Sequence, residues 1–521
     1  MIADLTAERK SHRLLGNSAW NVAAFLISVG LNLLILPFVA FRIGLAAFGV
    51  AGLVMACVAP ALAFSNALAL ATTRELAQRL SPGEREASRR LFATALMLAG
   101  GIGLVIVMSL SMVGPLAARL AFGLQGRTAE DLGLTFVFGA SGWLCQALSA
   151  VFLALFTARQ DYRRIALIST VSTLVSTGSM VILVPRWPQA STFVGCQALG
   201  FATSLLGAML LARLSIGDWL ARPALHRAPL GKLIHLGGWQ FAAQTSGLVA
   251  GQADRYLLGA FLQPQFVGLY TITQRLEEAM YIGILKVGEI LFPFFSSLQK
   301  ESSDRIADLL FRSSWVLNVL AATALGALIP VSGPLLQLWA GREVGDQAEQ
   351  LLVVLAVAGM LGCSANVFAS YLVASGRSRS NALISLVTAV FTLATSAVAL
   401  PYFGWRAAGW SSCIGMIAQI IVTMILLRQS FGLIGLWSRV AHFVLLPLGA
   451  GIVIALGLRY CAAGFISELI PFWWYVGVAY GLAAGIIFVV VVVVSGVGPH
   501  GAACRRDLRL IARRFLPMRV A

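Results

Sequence analysis

Residues 237–298 read GGWQFAAQTSGLVAGQADRYLLGAFLQPQFVGLYTITQRLEEAMYIGILKVGEILFPFFSSL. The stretch is apolar enough to cross a membrane twice, yet it carries Asp254, Arg255, Arg275, Glu277, Glu278, Lys286 and Glu289. A charge at mid-bilayer costs roughly 2.5–3.5 kcal/mol on insertion scales. So many charges cannot face lipid. They must face one another, a bundle interior or water, which makes this segment the lining of a path.

The rest of the chain supports that setting. Of 521 residues, 59% are hydrophobic and only 11% charged, against about 25% charged in a soluble domain. The composition excludes a soluble enzyme or nucleic-acid binder, despite a net charge of +17. Apolar runs of about 20 residues, the span length, fall near 19–41, 50–71, 91–113, 132–156, 165–184, 192–212, 234–260, 267–295, 313–331, 350–374, 382–400, 407–427, 440–459 and 472–495. The expectation is an all-α polytopic protein of about fourteen transmembrane helices.

Cytoplasmic loops carry the excess of Lys and Arg. With the N-terminus inside, the inner segments take Arg9, Lys10, Arg13, Arg74, Arg79, Arg85, Arg89, Arg90, Arg159, Arg163, Arg164, Arg377, Arg379 and the arginines after Ser495. The outer segments keep only Arg42, Arg119, Arg127, Arg186, Arg342, Arg406 and Arg459. One miscounted helix would scramble this alternation, so both termini are placed in the cytoplasm. The first span is too long for a signal peptide, contains Asn32 and Pro37, and reads as an uncleaved helix. Trp187, Trp315, Trp437 and Trp473 fall near span ends, where interfacial aromatics belong.

A weak repeat organises the spans. Residues 158–169 (ARQDYRRIALIS) align with 374–385 (ASGRSRSNALIS), and the same offset pairs Pro185 with Pro401. Phe48-Gly49 pairs with Val267-Gly268, each opening an inward-running helix. Six spans separate the copies, so the repeat is parallel. That is the two-lobe plan of many secondary transporters, with the path between lobes. The reading is a cytoplasmic tail 1–18, an N-lobe 19–214 (spans 1–6), a basic linker 215–233, a C-lobe 234–430 (spans 7–12), two further spans at 440–495 and a basic tail 496–521.

Polar stripes mark the lobes' first helices. Asn17, Asn21, Ser28 and Asn32 share one face at helical spacing. Gln240, Gln244, Gly247, Gly251, Asp254 and Arg255 do the same in the seventh span. Such stripes serve as a hydrated cavity wall or as interhelical hydrogen-bond glue; the charges favour the cavity in the seventh. In the eighth span Thr271, Arg275, Glu278, Ile282, Lys286 and Glu289 lie on one face, with Glu277 on another. Arg275–Glu278 and Lys286–Glu289 are i,i+3 neighbours that can pair, and Lys286–Glu289 reads equally as structural. Arg255 and Arg275 suit a phosphate, because a guanidinium stays charged and binds bidentately. Asp254 and Glu278 are candidates for proton coupling. In the tail, Cys504–Phe515 can form an amphipathic helix on the anionic inner leaflet or a plain basic tail.

No P-loop, HExxH or GxSxG motif occurs, the five histidines avoid mid-span, and the seven cysteines form no CxxC pair. The expectation is a protein that is not an enzyme and has no cofactor or metal. No loop has room for a soluble domain.

These residues resemble a known family. Asp254-Arg255-Tyr256 with the following Leu-Leu-Gly-Ala-Phe-Leu, then Val267-Gly268-Leu269-Tyr270, Arg275-Leu276 and Leu291-Phe292-Pro293, are similar to the signature of the polysaccharide-export (Wzx-type oligosaccharide flippase) family. Pro37 to Gly44 with Phe48-Gly49, and Pro401 to Gly409, look like its other motifs, so that the likeness covers roughly 15–430. The resemblance implies a MATE-like fold of the multidrug/oligosaccharidyl-lipid/polysaccharide (MOP) exporter superfamily. It implies a flippase that moves a polyprenyl-diphosphate-linked oligosaccharide from inner to outer leaflet of a bacterial inner membrane, for surface or exopolysaccharide synthesis. Arg255 and Arg275 would attract the diphosphate, and Asn21, Asn32, Gln240 and Gln244 would bond sugars. Asp254, Glu278, Lys286 and Glu289 would couple to H+ or Na+ or form ion pairs. Membrane lipids and a polymerase or export machinery are the other expected partners; nucleic acid is not. The first lobe departs from the family in having no mid-membrane charges, only boundary residues Arg42, Arg74 and Glu75. Rival readings are a lipid II flippase, a multidrug/cation antiporter, and a membrane polysaccharide polymerase or ligase.

Overall fold

The computed structural model describes residues 2–78, 84–124, 130–216, 223–289, 303–374, 377–431, 436–462, 472–497 and 500–506. Among the described residues, each of the fourteen expected spans falls on helical segments, most of them on a single helix. Eleven described segments are long and apolar enough to cross a membrane, one of them, Arg379–Gln429, running through two helices. The protein is a multi-pass, all-helical membrane protein.

The chain divides into two compact units, Met1–Thr271 and Ile272–Ala521. The first holds α1 (Ile2–Ile43), α2 (Leu45–Ala77), α3 (Arg85–Phe122), α4 (Leu132–Ala158), α5 (Tyr162–Leu183), α6 (Ala190–Ile216), α7 (Arg227–Phe261) and the start of α8 (Pro264–Glu289). Gly44 breaks α1 from α2 with φ of +81°, and Gly123 ends α3 at +59°, conformations that only glycine takes without steric cost. Asp161 caps α5 by accepting the Arg164 amide at 3.4 Å, and Asp131 caps α6 by accepting the Ser191 amide at 2.7 Å. Pro264 opens α8, where its missing N–H costs nothing.

Small and hydroxyl residues bring these helices together, as expected where water supplies no hydrophobic drive. A Cβ at Gly142 would lie 2.9 Å from the Ala198 Cα. Ser149 and Ser204 share a 2.8 Å hydrogen bond, and the Ser172 hydroxyl donates to the Gly200 carbonyl at 2.7 Å. Phe92, Phe152 and Phe156 fill the centre with Leu68 and Val151.

The second unit holds the rest of α8, then α9 (Ser303–Ala324), α10 (Leu328–Ala340), α11 (Arg342–Ala374), α12 (Ser378–Phe403), α13 (Ala407–Phe431), α14 (Leu436–Val440), α15 (Leu446–Ala462) and α16 (Phe472–Val497). A π-helical turn, Ala441–Leu445, joins α14 to α15. The wide turn releases a carbonyl, and the buried Asn318 amide donates to that carbonyl, of Phe443, at 3.0 Å. The last two spans are built into this unit rather than appended. Phe443, Leu448, Ile487 and Val491 share one core with Phe311, Trp315, Met360 and Phe368, and the Tyr480 hydroxyl bonds the Ala324 carbonyl at 3.1 Å.

Three expectations are corrected. Trp315 is not interfacial; it is 1% exposed at the centre of that core, because hydropathy locates a span end but not the neighbours that cover it. The ninth span is two helices, broken between Ala324 and Leu328. The region 332–349, which the span map leaves as the loop between the ninth and tenth spans, is helical apart from Gly341, whose φ of +95° makes the break. Charge and length signal water exposure, and a solvated segment can still be a helix. The amphipathic-tail reading of 504–515 falls almost wholly outside the described residues, which end at Arg506.

Candidate functional site in the seventh and eighth helices

In α7, Asp254 and Arg255 are 6% and 5% exposed. A bare charge in lipid is costly, and here protein covers both. The Tyr270 hydroxyl of α8 donates to Asp254 Oδ2 at 2.7 Å, which pins the α7–α8 hairpin across the short turn at Leu262 and Gln263. The Arg255 guanidinium donates to the Gln252 side-chain oxygen one turn earlier.

This hairpin packs on α2. The Tyr256 hydroxyl donates to the Ala56 carbonyl at 2.5 Å. A Cβ at Gly259 would lie 2.5 Å from Leu53 Cδ2, and one at Gly52 would lie 3.1 Å from Thr271 Oγ1. The repeat-matched glycines meet here. A Cβ on Gly49 would strike the Pro264 carbonyl, 2.8 Å from its carbon, and lie 2.9 Å from the Gly268 amide nitrogen. A Cβ on Gly268 would strike the Leu45 carbonyl, 3.1 Å from its carbon and 3.3 Å from the Gly49 amide nitrogen. Each glycine therefore meets the carbonyl four residues before the other, a reciprocal crossing of two equivalent helix starts.

In the second unit, Arg275 Nη1 lies 2.9 Å from Glu278 Oε2, the i,i+3 pair expected from the sequence, with side chains 43% and 38% exposed. Lys286 is half-buried. In the first unit Gln244 is half-buried and Asn32 is exposed; the Asn32 amide donates to the Ser28 carbonyl of its own helix at 2.8 Å. Asn21, Gln240 and Glu289 lie in helices, but their side chains are outside the described set. The structure thus brings Asp254, Arg255, Gln252 and Tyr270 together in one unit and pairs Arg275 with Glu278 in the other.

Several polar residues escaped the sequence reading. Gln252 and Tyr270 were signalled by i,i+3 spacing to Arg255 and by the hairpin. Glu277, set aside as lying on another face, is buried at 9% exposure. Its neighbour Tyr281 accepts a 2.6 Å hydrogen bond from Asn366 of α11. An amide inside the apolar run 350–374 was the available signal for that contact.

The description "polysaccharide biosynthesis protein" belongs to the family that matches residues 38–348. No curated protein matches the chain in sequence. Among solved structures, the chain is similar to a lipid II flippase, MurJ, in an inward closed conformation, with TM-score 0.71, 10% identity, and 92% of this chain and 98% of that one covered. It is similar to a multidrug resistance MATE family transporter of the MOP superfamily, inward-facing, with TM-score 0.68, 14% identity and coverage of 77% and 94%. A MOP superfamily transporter from Pyrococcus furiosus aligns with TM-score 0.60 at 12% identity, covering 81% and 96%. At these identities the likeness concerns the fold. Taken with the family match over most of the chain, it means that the chain belongs to the polysaccharide biosynthesis protein family, built on the MOP exporter fold.

Proposed function

We propose that the protein flips polyprenyl-diphosphate-linked oligosaccharide repeat units from the inner to the outer leaflet of a bacterial inner membrane. Its termini are cytoplasmic, and it works by alternating access of the two repeat-related lobes without ATP hydrolysis. The observation that carries the reading is Arg255, a guanidinium covered by protein near the end of α7 in a chain of this family. A fixed cation within a span suits a diphosphate, whose charge is the hardest part of the substrate to move through lipid. Arg275 adds a second, more exposed cation. Gln244, Gln240, Asn21 and Asn32 are assigned to sugar hydroxyls. Coupling to H+ or Na+ would drive the cycle, and a polymerase or export machinery would consume the product.

Deleting the gene should leave lipid-linked oligosaccharide on the inner leaflet; normal export in a strain lacking any redundant transporter would end the proposal. Arg255→Ala combined with Arg275→Ala should abolish complementation. Full complementation would remove the diphosphate role from these residues.

A second reading, a lipid II flippase, is favoured by the fold shared with MurJ over nearly the whole chain. Loss of cell-wall synthesis on depletion, with no surface-glycan defect, would select it.

A further inference from the structure

We propose that Glu277 is a proton-binding site, held in the second unit by α8 and α11. Three observations build it. Glu277 is only 9% exposed, and among the described residues neither Arg nor Lys pairs with it. Its carboxyl group lies against bare backbone: a Cβ on Gly359 would run into the Glu277 oxygen, with the carboxyl carbon at 3.3 Å and Leu325 Cδ1 at 3.1 Å. One turn along the same face, Tyr281 fits against the next glycine of α11, where a Cβ on Gly362 would lie 3.2 Å from the phenol oxygen. The Asn366 amide fills that oxygen as a donor at 2.6 Å, so the phenol hydrogen remains to donate elsewhere.

The pattern Glu277-x-x-x-Tyr281 on α8 thus fits Gly359-x-x-Gly362 on α11. Two missing side chains on one helix make room for two polar groups on the other. A lone buried carboxylate is costly unless its charge is neutralised. The titratable groups near it are Glu278 on its own helix, itself paired with Arg275, Tyr281 one turn on, and Cys363 on α11. Leu325, beside the α9–α10 break, closes the pocket with an apolar wall. A proton from water, added to one carboxylate oxygen, neutralises the group and lets it donate a hydrogen bond. Releasing that proton to water restores the anion.

The site rests on this geometry alone; its role in driving flipping rests on the transport reading. The test is infrared spectroscopy of the full-length protein reconstituted in lipid, titrated from mildly acid to mildly alkaline pH. The expected result is a protonated-carboxyl band that fades as pH rises and is missing from Glu277→Gln. Identical spectra for the two proteins at every pH would overturn the proposal. So would loss of the band on adding sodium ion at fixed pH, which would make the site one for a metal cation. Gly359→Ala, which pushes on the carboxyl group, should move the pH midpoint of the band; an unmoved midpoint would overturn the packing argument. If Glu277→Gln does not fold, Glu277→Asp carries the test, because withdrawing the carboxyl by one methylene must shift the band's midpoint. No step needs a glycan. A protein that binds the proton but moves no lipid-linked sugar would refute transport and leave the site standing.

Discussion

Gly49→Ala should be among the most damaging single-methyl additions in the chain. The new Cβ would lie 2.8 Å from the Pro264 carbonyl carbon and 2.9 Å from the Gly268 nitrogen. Carbon atoms sit comfortably at about 3.5–4.0 Å, so the carbonyl carbon alone would require α2 and α8 to part by roughly 0.7–1.2 Å, and the nearer Pro264 oxygen requires more. Both obstacles are backbone, so no rotamer change relieves the clash. Overpacking costs about 1–3 kcal/mol, and this position belongs at the upper end. The control is Gly100→Ala in α3, where a Cβ meets nothing within 4 Å. There the exchange should stabilise by about 0.5–1 kcal/mol through helix propensity. The two variants therefore differ in sign and by roughly 3 kcal/mol or more in total. Heating the purified proteins in detergent and measuring the monodisperse fraction gives the order directly. Gly268→Ala should resemble Gly49→Ala, since its Cβ meets Leu45 in the same way. The double variant should cost less than the sum, because one separation relieves both clashes. Equal stability of Gly49→Ala and Gly100→Ala, or strict additivity of the two glycine variants, would refute the crossing.

Two further outcomes test the polar contacts. Tyr270→Phe deletes the donor to the buried Asp254 carboxylate and should lower stability by about 1–3 kcal/mol; thermal unfolding unchanged from the wild type would show that the hairpin is held otherwise. Asn318→Ala removes the donor to the Phe443 carbonyl in the π turn and should cost about 1–3 kcal/mol, with hydrogen exchange rising first around 441–445.

Much of the fold was legible because a bilayer imposes a simple rule. Any stretch of about 20 apolar residues must become a helix, since no water is present to satisfy its backbone. The breaks at Gly44 and Gly123 were also written locally, in residues that tolerate positive φ. The repeat pointed to Gly49 and Gly268 as equivalent, although not that they touch. What stayed hidden was the identity of neighbours. Trp315 and Glu277 have apolar or polar character that any helix face could present, and only tertiary packing decides that protein rather than lipid or water covers them. The same holds for α14 to α16, whose hydropathy marks them as spans and says nothing of their place in the second unit's core. At the site, the Arg275–Glu278 pair follows from i,i+3 spacing alone. The Asp254–Tyr270 bond needs the hairpin turn to bring the two helices side by side.

The central claim is that this protein moves a diphosphate-linked glycan across a bilayer and that Arg255 helps carry it. Purified protein in liposomes loaded with polyprenyl-diphosphate oligosaccharide, probed by an impermeant sugar-modifying reagent, tests it most directly. The account predicts that the fraction reached by the reagent rises above the half expected for one leaflet, and that Arg255→Ala slows the rise by about tenfold or more, the loss of one charge-assisted hydrogen bond. A reactive fraction no greater than in protein-free liposomes, with correctly folded protein present, would contradict it.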